Sequence, residues 1–354
     1  MNKIDYLKLN NKEENTVLSP YSLMIALSML YEGATGETKE ELDRLLSDED
    51  IYKYANIQDV LCIFNKIYVD KSISNSISQD FLDNLNTKYN AELEVDTLDV
   101  DVINSYVEKK TFGQIKNILD KINGNLLLIN TIAVDMQWEN EVSPTKVNKG
   151  IFNDNIEASY IYGFQGYNSS YYEDDHTIAL GLNLKKYFDQ FDCVLIQPKN
   201  ISLTEYINGI NDDNIYHILN NLQPLKDDPR EIHISVPKFS FEYSLNAMDS
   251  LRQMGFKTID SPNLQKIIND RCDLNVIHKS KIDFSEKGLK AASATIMEML
   301  CGCALPIERE KLYININKPF IIVVRDKATN TIFFMGTVYK PVLWKDDSVN
   351  YQWK

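Results

Sequence analysis

The sequence predicts an α+β fold with large antiparallel or mixed β-sheets, built as one domain over residues 1–354. Most predicted helices lie in the first third of the chain, whereas segments with strand patterns dominate the remainder. No linker rich in proline, glycine or serine divides the chain, and it contains no internal repeat. These observations favour a single domain over two.

The first strong helix signal has marked ends. Ser19 can cap the helix, Pro20 suits its first position, and Gly33 can end it. The helix is apolar almost all round, so we expect it to be buried. Thr38 and Glu41 then form a capping-box pattern, which predicts a second helix that ends near Leu46.

The remaining elements follow from the spacing of apolar residues. Helical patterns cover Phe81 to Tyr89, Val102 to Val107 with Ile115 to Leu119, Leu203 to Leu222, and Ala247 to Met254. Strand patterns cover Leu61 to Val69, several segments between residues 147 and 199, Glu231 to Tyr243 with a bend at Pro237, Asp273 to Phe284, and a hairpin of Pro319 to Arg325 with Thr331 to Tyr339.

Leu126 to Trp138 is a continuous apolar run of strand length. Such a run indicates a strand buried on both faces, in the middle of a large sheet. Asn130 interrupts it, and a buried amide without hydrogen bonds costs about 1–3 kcal/mol. The sequence therefore predicts polar partners for Asn130 inside the protein.

Composition excludes several classes of partner. The net charge of −14 argues against nucleic acid and against an anionic membrane, because both would need clustered Lys and Arg.

No apolar run has the length of a membrane span, and the first residues lack the apolar core of a signal peptide. Five scattered cysteines are typical of free thiols in a reducing compartment. We therefore expect a cytoplasmic protein.

No arrangement of residues points to an enzyme. The four histidines are far apart, and the acidic cluster from Glu173 to His176 is more typical of a solvated loop than of a metal site. The nucleophile elbow, the P-loop, the dinucleotide-binding fingerprint and the HExxH motif are all missing. We expect no catalytic residues, no metal and no cofactor.

One stretch near the C-terminus, Glu286 to Pro306, has an unusual pattern. Read with period two, it has an uncharged face, whereas Lys290 and Glu298 lie on the opposite face, which is typical of a half-buried strand. The uncharged face consists of Leu289, Ala291, Ser293, Thr295, Met297 and Met299. The alternative is an amphipathic helix from Ala291 to Leu300, which the residue types favour on this window alone.

Several motifs follow one another along almost the whole chain. They are Asn15 to Leu23, Tyr106 to Ile115, Val236 to Phe239, His278 with Lys279, Glu286 to Gly288 followed by Ala291 to Thr295, Asn317 to Phe320, and Phe333 to Val338. In this order they resemble the motifs of the serpin family. The resemblance implies a fold of three β-sheets and about eight or nine helices. It also implies that Glu286 to Pro306 is an exposed reactive-centre loop.

The resemblance implies a mechanism for this loop. A protease takes the loop as substrate and is acylated, and the cut loop inserts as a new strand of the main sheet. Counting from Glu286, as inhibitory serpins usually run, puts the scissile bond at Gly302–Cys303, with Leu300 and Cys301 as neighbours. The implied hinge consists of Glu286, Gly288, Leu289, Ala291, Ala292, Ser293, Ala294 and Thr295.

Two further groups carry over by motif. Ser19, Ser22, Asn130 and His278 match the shutter, the polar cluster beneath the point where the sheet opens. Trp138, Lys238 and Glu286 match the breach, where insertion begins, and there Lys238 and Glu286 are expected to pair and hold the sheet closed. The alternative for all seven residues is ordinary core packing.

The resemblance therefore implies a suicide-substrate inhibitor, similar to the intracellular poxvirus serpins. Its expected partner is a host serine or cysteine protease, and its expected role is viral evasion of host defence or cell death. We expect a monomer. The alternative is a serpin-fold binding protein that no longer inhibits, because Leu289 replaces a small hinge residue and Lys290 replaces an acidic one.

The loop also narrows the target. It contains no Asp, which disfavours caspases and granzyme B, and no Arg before Arg309, which disfavours trypsin-like enzymes. Met299, Leu300 or Cys301 would suit chymotrypsin-like or cathepsin-like enzymes, and Gly302 would suit an elastase-like one.

Overall fold

A computed structural model describes residues 3–46, 61–73, 77–89, 91–111, 113, 115–134, 136–164, 166–185, 190–268, 272–289 and 309–342. Within these ranges the α-helices are α1 Lys3–Asn10, α2 Pro20–Gly33, α3 Gly36–Leu46, α4 Gln79–Tyr89, α5 Val100–Lys110, α6 Leu203–Gly209, α7 Asp212–Asn220 and α8 Met248–Gln253. The hinge residues Ala291 to Thr295 and the predicted scissile bond lie outside the described residues.

The described strands are β1 Thr16–Leu18, β2 Leu61–Asp70, β3 Glu92–Asp96, β4 Leu126–Val134, β5 Met136–Gln137, β6 Val147–Phe152, β7 Ile156–Tyr162, β8 Ser169–Glu173, β9 Thr177–Asn183, β10 Phe191–Pro198, β11 Gln223–Pro224, β12 Glu231–Pro237, β13 Phe239–Asn246, β14 Leu274–Phe284, β15 Gly288–Leu289, β16 Lys311–Asn315, β17 Phe320–Asp326 and β18 Ile332–Val338. The α+β class predicted from the sequence is confirmed.

The chain divides into two compact units. The first comprises residues 1–10, 17–134 and 242–281. In its sheet, β3 pairs with β2, β2 with β4, and β4 with β14. The β4–β14 pair is parallel, and the two strands neighbouring β2 run in opposite directions to each other. Helix α5 and residues 115–119 pack on one face of this sheet in a buried apolar cluster.

The second unit comprises residues 11–16, 135–241 and 282–354. One of its sheets has the order β18-β17-β10-β9-β8-β11. Another has the order β16-β12-β7-β6, with the β16–β12 pair parallel and the others antiparallel. In the same unit, the end of β14 pairs with β15, and β15 pairs with β5. One domain over residues 1–354 remains a prediction.

The predicted first helix is confirmed together with its cap. Helix α2 runs from Pro20 to Gly33, and the Ser19 side chain accepts a hydrogen bond from the backbone N–H of Ser22 at 3.1 Å. Almost every residue of α2 is buried, as its apolar surface predicts. The capping residue, the proline and the apolar pattern were sufficient to predict this helix, because the helix is buried in the fold as its apolar surface requires.

The predicted capping box of the second helix is wrong, because α3 begins at Gly36. The two side chains bond to distant backbone instead. Thr38 Oγ1 accepts from the N–H of Asn263 at 2.9 Å, and Glu41 Oε2 accepts from the N–H of Thr258 at 2.8 Å. Both groups are used in tertiary contacts, so the local spacing gave a misleading signal.

The helix predicted over Ile115 to Leu119 is also wrong. The segment follows Gly113, whose φ of +70° turns the chain out of helical geometry. Asn104 on α5 then bonds both the N–H and the C=O of Leu119 at 2.9 Å. These side-chain bonds replace the backbone bonds that a helix would have supplied.

Candidate functional site

The four predicted shutter residues converge in the first unit. Ser19 and Ser22 lie at the start of α2, Asn130 in the middle of β4, and His278 opposite it on β14. All four side chains are fully buried. A buried polar group without a hydrogen bond costs free energy, so the hydrogen bonds of these four residues determine how stable the cluster is.

His278 is bonded through both ring nitrogens. Its Nδ1 lies 2.8 Å from Asn130 Oδ1, and its Nε2 accepts the backbone N–H of Ser19 at 3.1 Å. Because Nε2 is an acceptor, we assign the proton of the neutral ring to Nδ1, which donates to Asn130. Ser280 Oγ lies 2.8 Å from Nε2 and completes the environment of the ring.

Asn130 also bonds to two further elements, α2 and β2. Its Nδ2 donates to the C=O of Ser22 at 2.8 Å and to the Oδ1 of Asn65 on β2. The partners that the sequence predicted for Asn130 are therefore present. Ser22 contributes its carbonyl, and its own hydroxyl has no hydrogen-bond partner. Asn65 and Ser280 belong to the same network and were not predicted from the sequence.

The stability of this cluster should depend on pH. Burial lowers the pKa of His278 from its ordinary 6.5 to about 4. Between these two values the unfolded chain binds a proton that the folded protein does not. The free energy of unfolding should therefore fall by about 1.4 kcal/mol per pH unit as the pH drops from 6.5 towards 4.

Urea unfolding between about pH 7 and pH 5 tests this pH dependence. The His278→Gln variant should lose that part of the slope, whereas His176→Gln, which removes an exposed histidine, should keep it. Equal slopes for wild type and His278→Gln would show that His278 is not the titrating group.

The predicted breach residues lie in the second unit around the turn 285–288. Trp138 is buried, and its Nε1 donates to the C=O of Ser285 at 2.7 Å. The backbone N–H of Trp138 donates to the C=O of Lys287 at 3.1 Å. The backbone N–H of Val142 donates to the C=O of Glu286 at 2.9 Å. Three consecutive carbonyls of the turn are therefore fixed by the segment that follows β5.

The expected ion pair is present as a contact. Lys238 Nζ lies 3.3 Å from Glu286 Oε2, and both side chains are largely buried. The contact lacks hydrogen-bond geometry, since Oε2 has no hydrogen-bond partner, so the attraction is chiefly coulombic. Phe284 packs against Trp138 with a centroid distance of 4.9 Å and makes the floor of the turn apolar.

The first hinge residues form a strand already. Gly288 and Leu289 make up β15, which is antiparallel both to β14, through Phe284, and to β5, through Met136. Gly288 has a φ of +152°, and a Cβ there would lie 2.2 Å from the C=O of Met136, so only glycine fits. Leu289 is 1% exposed. A leucine at this hinge position is therefore compatible with burial.

In the first unit, β4 and β14 are direct neighbours. Their parallel register runs from Leu126 opposite Leu274 to Ala133 opposite Lys281. A strand entering between two parallel strands can run antiparallel to both of them. One parallel ladder would then be replaced by two antiparallel ladders, which are slightly more stable per residue.

The described part of the chain contains no cluster of His, Cys, Asp or Glu that could hold a metal, and none of its helices has the length and apolarity of a membrane span. Cys193 and Cys272 are free and buried, and burial raises the pKa of Cys272 to about 11. A thiol with this pKa is a poor nucleophile at neutral pH.

Comparison with known proteins agrees with this geometry. The family model named serpin (serine protease inhibitor) matches residues 4–341. A serpin-like protein of Thermococcus kodakarensis is 27% identical, with 95% of this chain and 83% of the relative covered. Bovine antithrombin-III is 27% identical, covering 94% and 77%. Serine proteinase inhibitor 1 of myxoma virus is 26% identical, covering 93% and 88%.

Two solved structures show the same fold. The native state of tengpin, a thermophilic serpin, superposes with a TM-score of 0.81 at 26% identity, covering 95% of this chain and 92% of tengpin. Human thyroxine-binding globulin superposes with a TM-score of 0.79 at 21% identity, covering 96% of each chain. The family model spans nearly the whole sequence, and the chain therefore belongs to the serpin family.

Proposed function

We propose that this protein inhibits a protease by offering its loop as substrate and inserting the cut loop into the main sheet. The observation that carries the proposal is β15. Gly288 and Leu289 are already antiparallel to the strands on both sides, which is the arrangement that an inserting loop would continue. In this proposal, cleavage frees the residues after Leu289 to add to the same strand.

The driving force follows from the two ladders that insertion would create. The added strand would exchange the parallel β4–β14 ladder for two antiparallel ones and would bury the uncharged face that includes Thr295 and Met297. The uncut protein would then be kinetically trapped above its lowest free energy. The protease remains attached because its acyl bond travels with the loop before water can hydrolyse it.

Leu289 supports inhibition over simple binding. On sequence alone its size argued against fast insertion, yet its side chain is buried between β14 and β5. Insertion would therefore begin from a position where the largest hinge side chain is already accommodated. The fold alone does not distinguish the alternatives, because thyroxine-binding globulin shares it.

The target and the setting are part of the proposal. Cleavage at Gly302–Cys303, with Leu300 and Cys301 before it, would suit a chymotrypsin-like, elastase-like or cathepsin-like host enzyme. We propose a monomer that acts in the cytoplasm of a host cell. A viral role in blocking host defence or cell death is likewise only part of this proposal, since archaeal and bovine relatives match this chain as well as the myxoma virus proteinase inhibitor does.

A panel of serine and cysteine proteases tests the proposal. An inhibitor gives a covalent complex that survives SDS, whereas a non-inhibitory protein is only cleaved. Cleavage should also raise the Tm, because the inserted strand replaces one parallel ladder by two antiparallel ladders. Cleavage without any complex and without a rise in Tm would contradict the mechanism and favour the binding-protein alternative.

A further inference from the structure

A row of aromatic rings in contact with one another runs through the interior of the second unit. Neighbouring ring centroids lie between 4.9 and 6.3 Å apart, a separation at which aromatic rings attract each other beyond simple burial of area. In order along the row, the buried residues are Phe152, Phe320, Phe239, Phe284, Trp138 and Phe164. The row joins strands β6, β17 and β13 to the end of β14 and to Trp138.

Phe239 has a central place in this aromatic row. It is fully buried, and its ring stacks on that of Phe284 with centroids 5.0 Å apart and planes at 18°. On its other sides the ring contacts Phe320 at 5.8 Å and Phe241 at 6.0 Å. Because protein interiors are close-packed, these contacts fix the Phe239 ring and leave it little room to move away from Phe284.

Phe284 connects the aromatic row to the turn 285–288. It lies opposite Leu289 in the antiparallel register of β14 and β15. The next residue, Ser285, accepts the indole N–H of Trp138 and exchanges two backbone hydrogen bonds with Gly288, at 3.0 and 3.3 Å. A shift of the Phe284 ring would therefore move the backbone with which β15 is paired.

The residue before Phe239 contacts the same turn by a different kind of interaction. Lys238 Nζ lies 3.3 Å from Glu286 Oε2, whereas Phe239 packs on Phe284. A coulombic contact weakens when the local dielectric constant rises, whereas the burial of ring surface does not depend on charge. The turn 285–288 therefore has an apolar support that is independent of its ion pair.

We propose that Phe239 is a positioning residue for the start of loop insertion. In this proposal, Phe239 holds Phe284, and through Phe284 it keeps the turn 285–288 and β15 in the pairing that an inserting strand would continue. The functional part rests on the proposed function, since it takes β15 as the place where insertion begins. The positioning itself is a property of the uncleaved protein.

Amide hydrogen exchange over residues 285–289 of the uncleaved protein tests the positioning. Phe239→Leu keeps an apolar side chain but removes the stacked ring, so the turn should open more often and exchange about tenfold faster. Phe333→Leu is the matched control, because Phe333 is equally buried in the second unit and packs edge-on against Phe191 with centroids 5.4 Å apart. It should lower the Tm to a similar extent but leave exchange over residues 285–289 unchanged.

A double variant tests whether Phe239 acts through Phe284. In the Phe284→Leu background, adding Phe239→Leu should change the exchange rate less than about twofold, because the ring on which Phe239 acts is already gone. Phe239→Met, which keeps the volume without the flat ring, replaces Phe239→Leu if that variant does not fold. Equal exchange in Phe239→Leu and wild type, or a tenfold effect that persists without the Phe284 ring, overturns the inference.

The trapping of a protease gives the functional readout. The ratio of complex to cleaved protein should fall about tenfold in Phe239→Leu and should keep its wild-type value in Phe333→Leu. If wild type is cleaved without trapping, the proposed function fails, while the exchange rates still decide whether Phe239 positions β15. If Phe239→Leu traps protease as well as wild type does, the inference is overturned and the proposed function stands.

Discussion

The Leu289→Arg variant should be cleaved by the target protease without forming a complex. Leu289 is fully buried in β15, and a guanidinium there would lose its hydration without a partner charge, which costs several kcal/mol. The strand β15 should therefore be lost as the starting point for insertion, and water would hydrolyse the acyl-enzyme before the loop inserts. We expect the ratio of complex to cleaved protein, measured on denaturing gels, to fall at least about 100-fold.

Leu9→Arg is the matched control. It introduces the same charge at a leucine that is 38% exposed on α1, so it should leave the ratio unchanged. The melting curve of uncleaved Leu289→Arg shows whether the variant still folds. A folded Leu289→Arg variant that traps protease as well as wild type would refute the role of β15 as the start of insertion.

Replacing Asn130 with alanine should lower the free energy of unfolding of the uncleaved protein by about 3–5 kcal/mol. The change leaves the Nδ1–H of His278 and the C=O of Ser22 without partners in a site closed to water. Each unsatisfied buried group costs about 1–3 kcal/mol. Urea unfolding measures the loss, provided that the slope with urea concentration is unchanged.

Asn104→Ala provides the comparison for Asn130. The Asn104 side chain also makes two hydrogen bonds, to the C=O and the N–H of Leu119. Because this site is only partly buried, water can bond these two groups in the variant. We expect a loss of about 1 kcal/mol there. Similar losses at both positions would show that the shutter hydrogen bonds are not exceptional, and that core packing explains the burial of Asn130.

Local signals in the sequence predicted those elements in which the residues at the ends, the apolar pattern and the burial in the folded protein all favour the same structure. The cap, proline and glycine of α2 are such a case, and so is the apolar run of β4. The strands β3 and β16 were missed. They are short edge strands that carry charged or exposed residues, and their parallel partners lie 26 and 80 positions away in register. Their identity depends on pairing that no local window contains.

The shutter could have been found more completely from the sequence. Asn65 interrupts a predicted apolar strand, as Asn130 does, and Ser280 lies two residues after His278, hence on the same face of β14. Both signals are visible in the sequence alone. The breach is different, because the bond of Trp138 to Ser285 spans 147 positions and depends on tertiary structure.

The indole of Trp138 lies where its fluorescence can report on the loop. The protein has three tryptophans, and Trp344 and Trp353 fall in the C-terminal segment beyond the described residues. With those two replaced by phenylalanine, the emission would come from Trp138 alone, which touches Phe284 and donates to the turn before β15. The protein would then carry its own spectroscopic probe at the hinge, and stopped-flow fluorescence could time the first movement of the loop without an added dye.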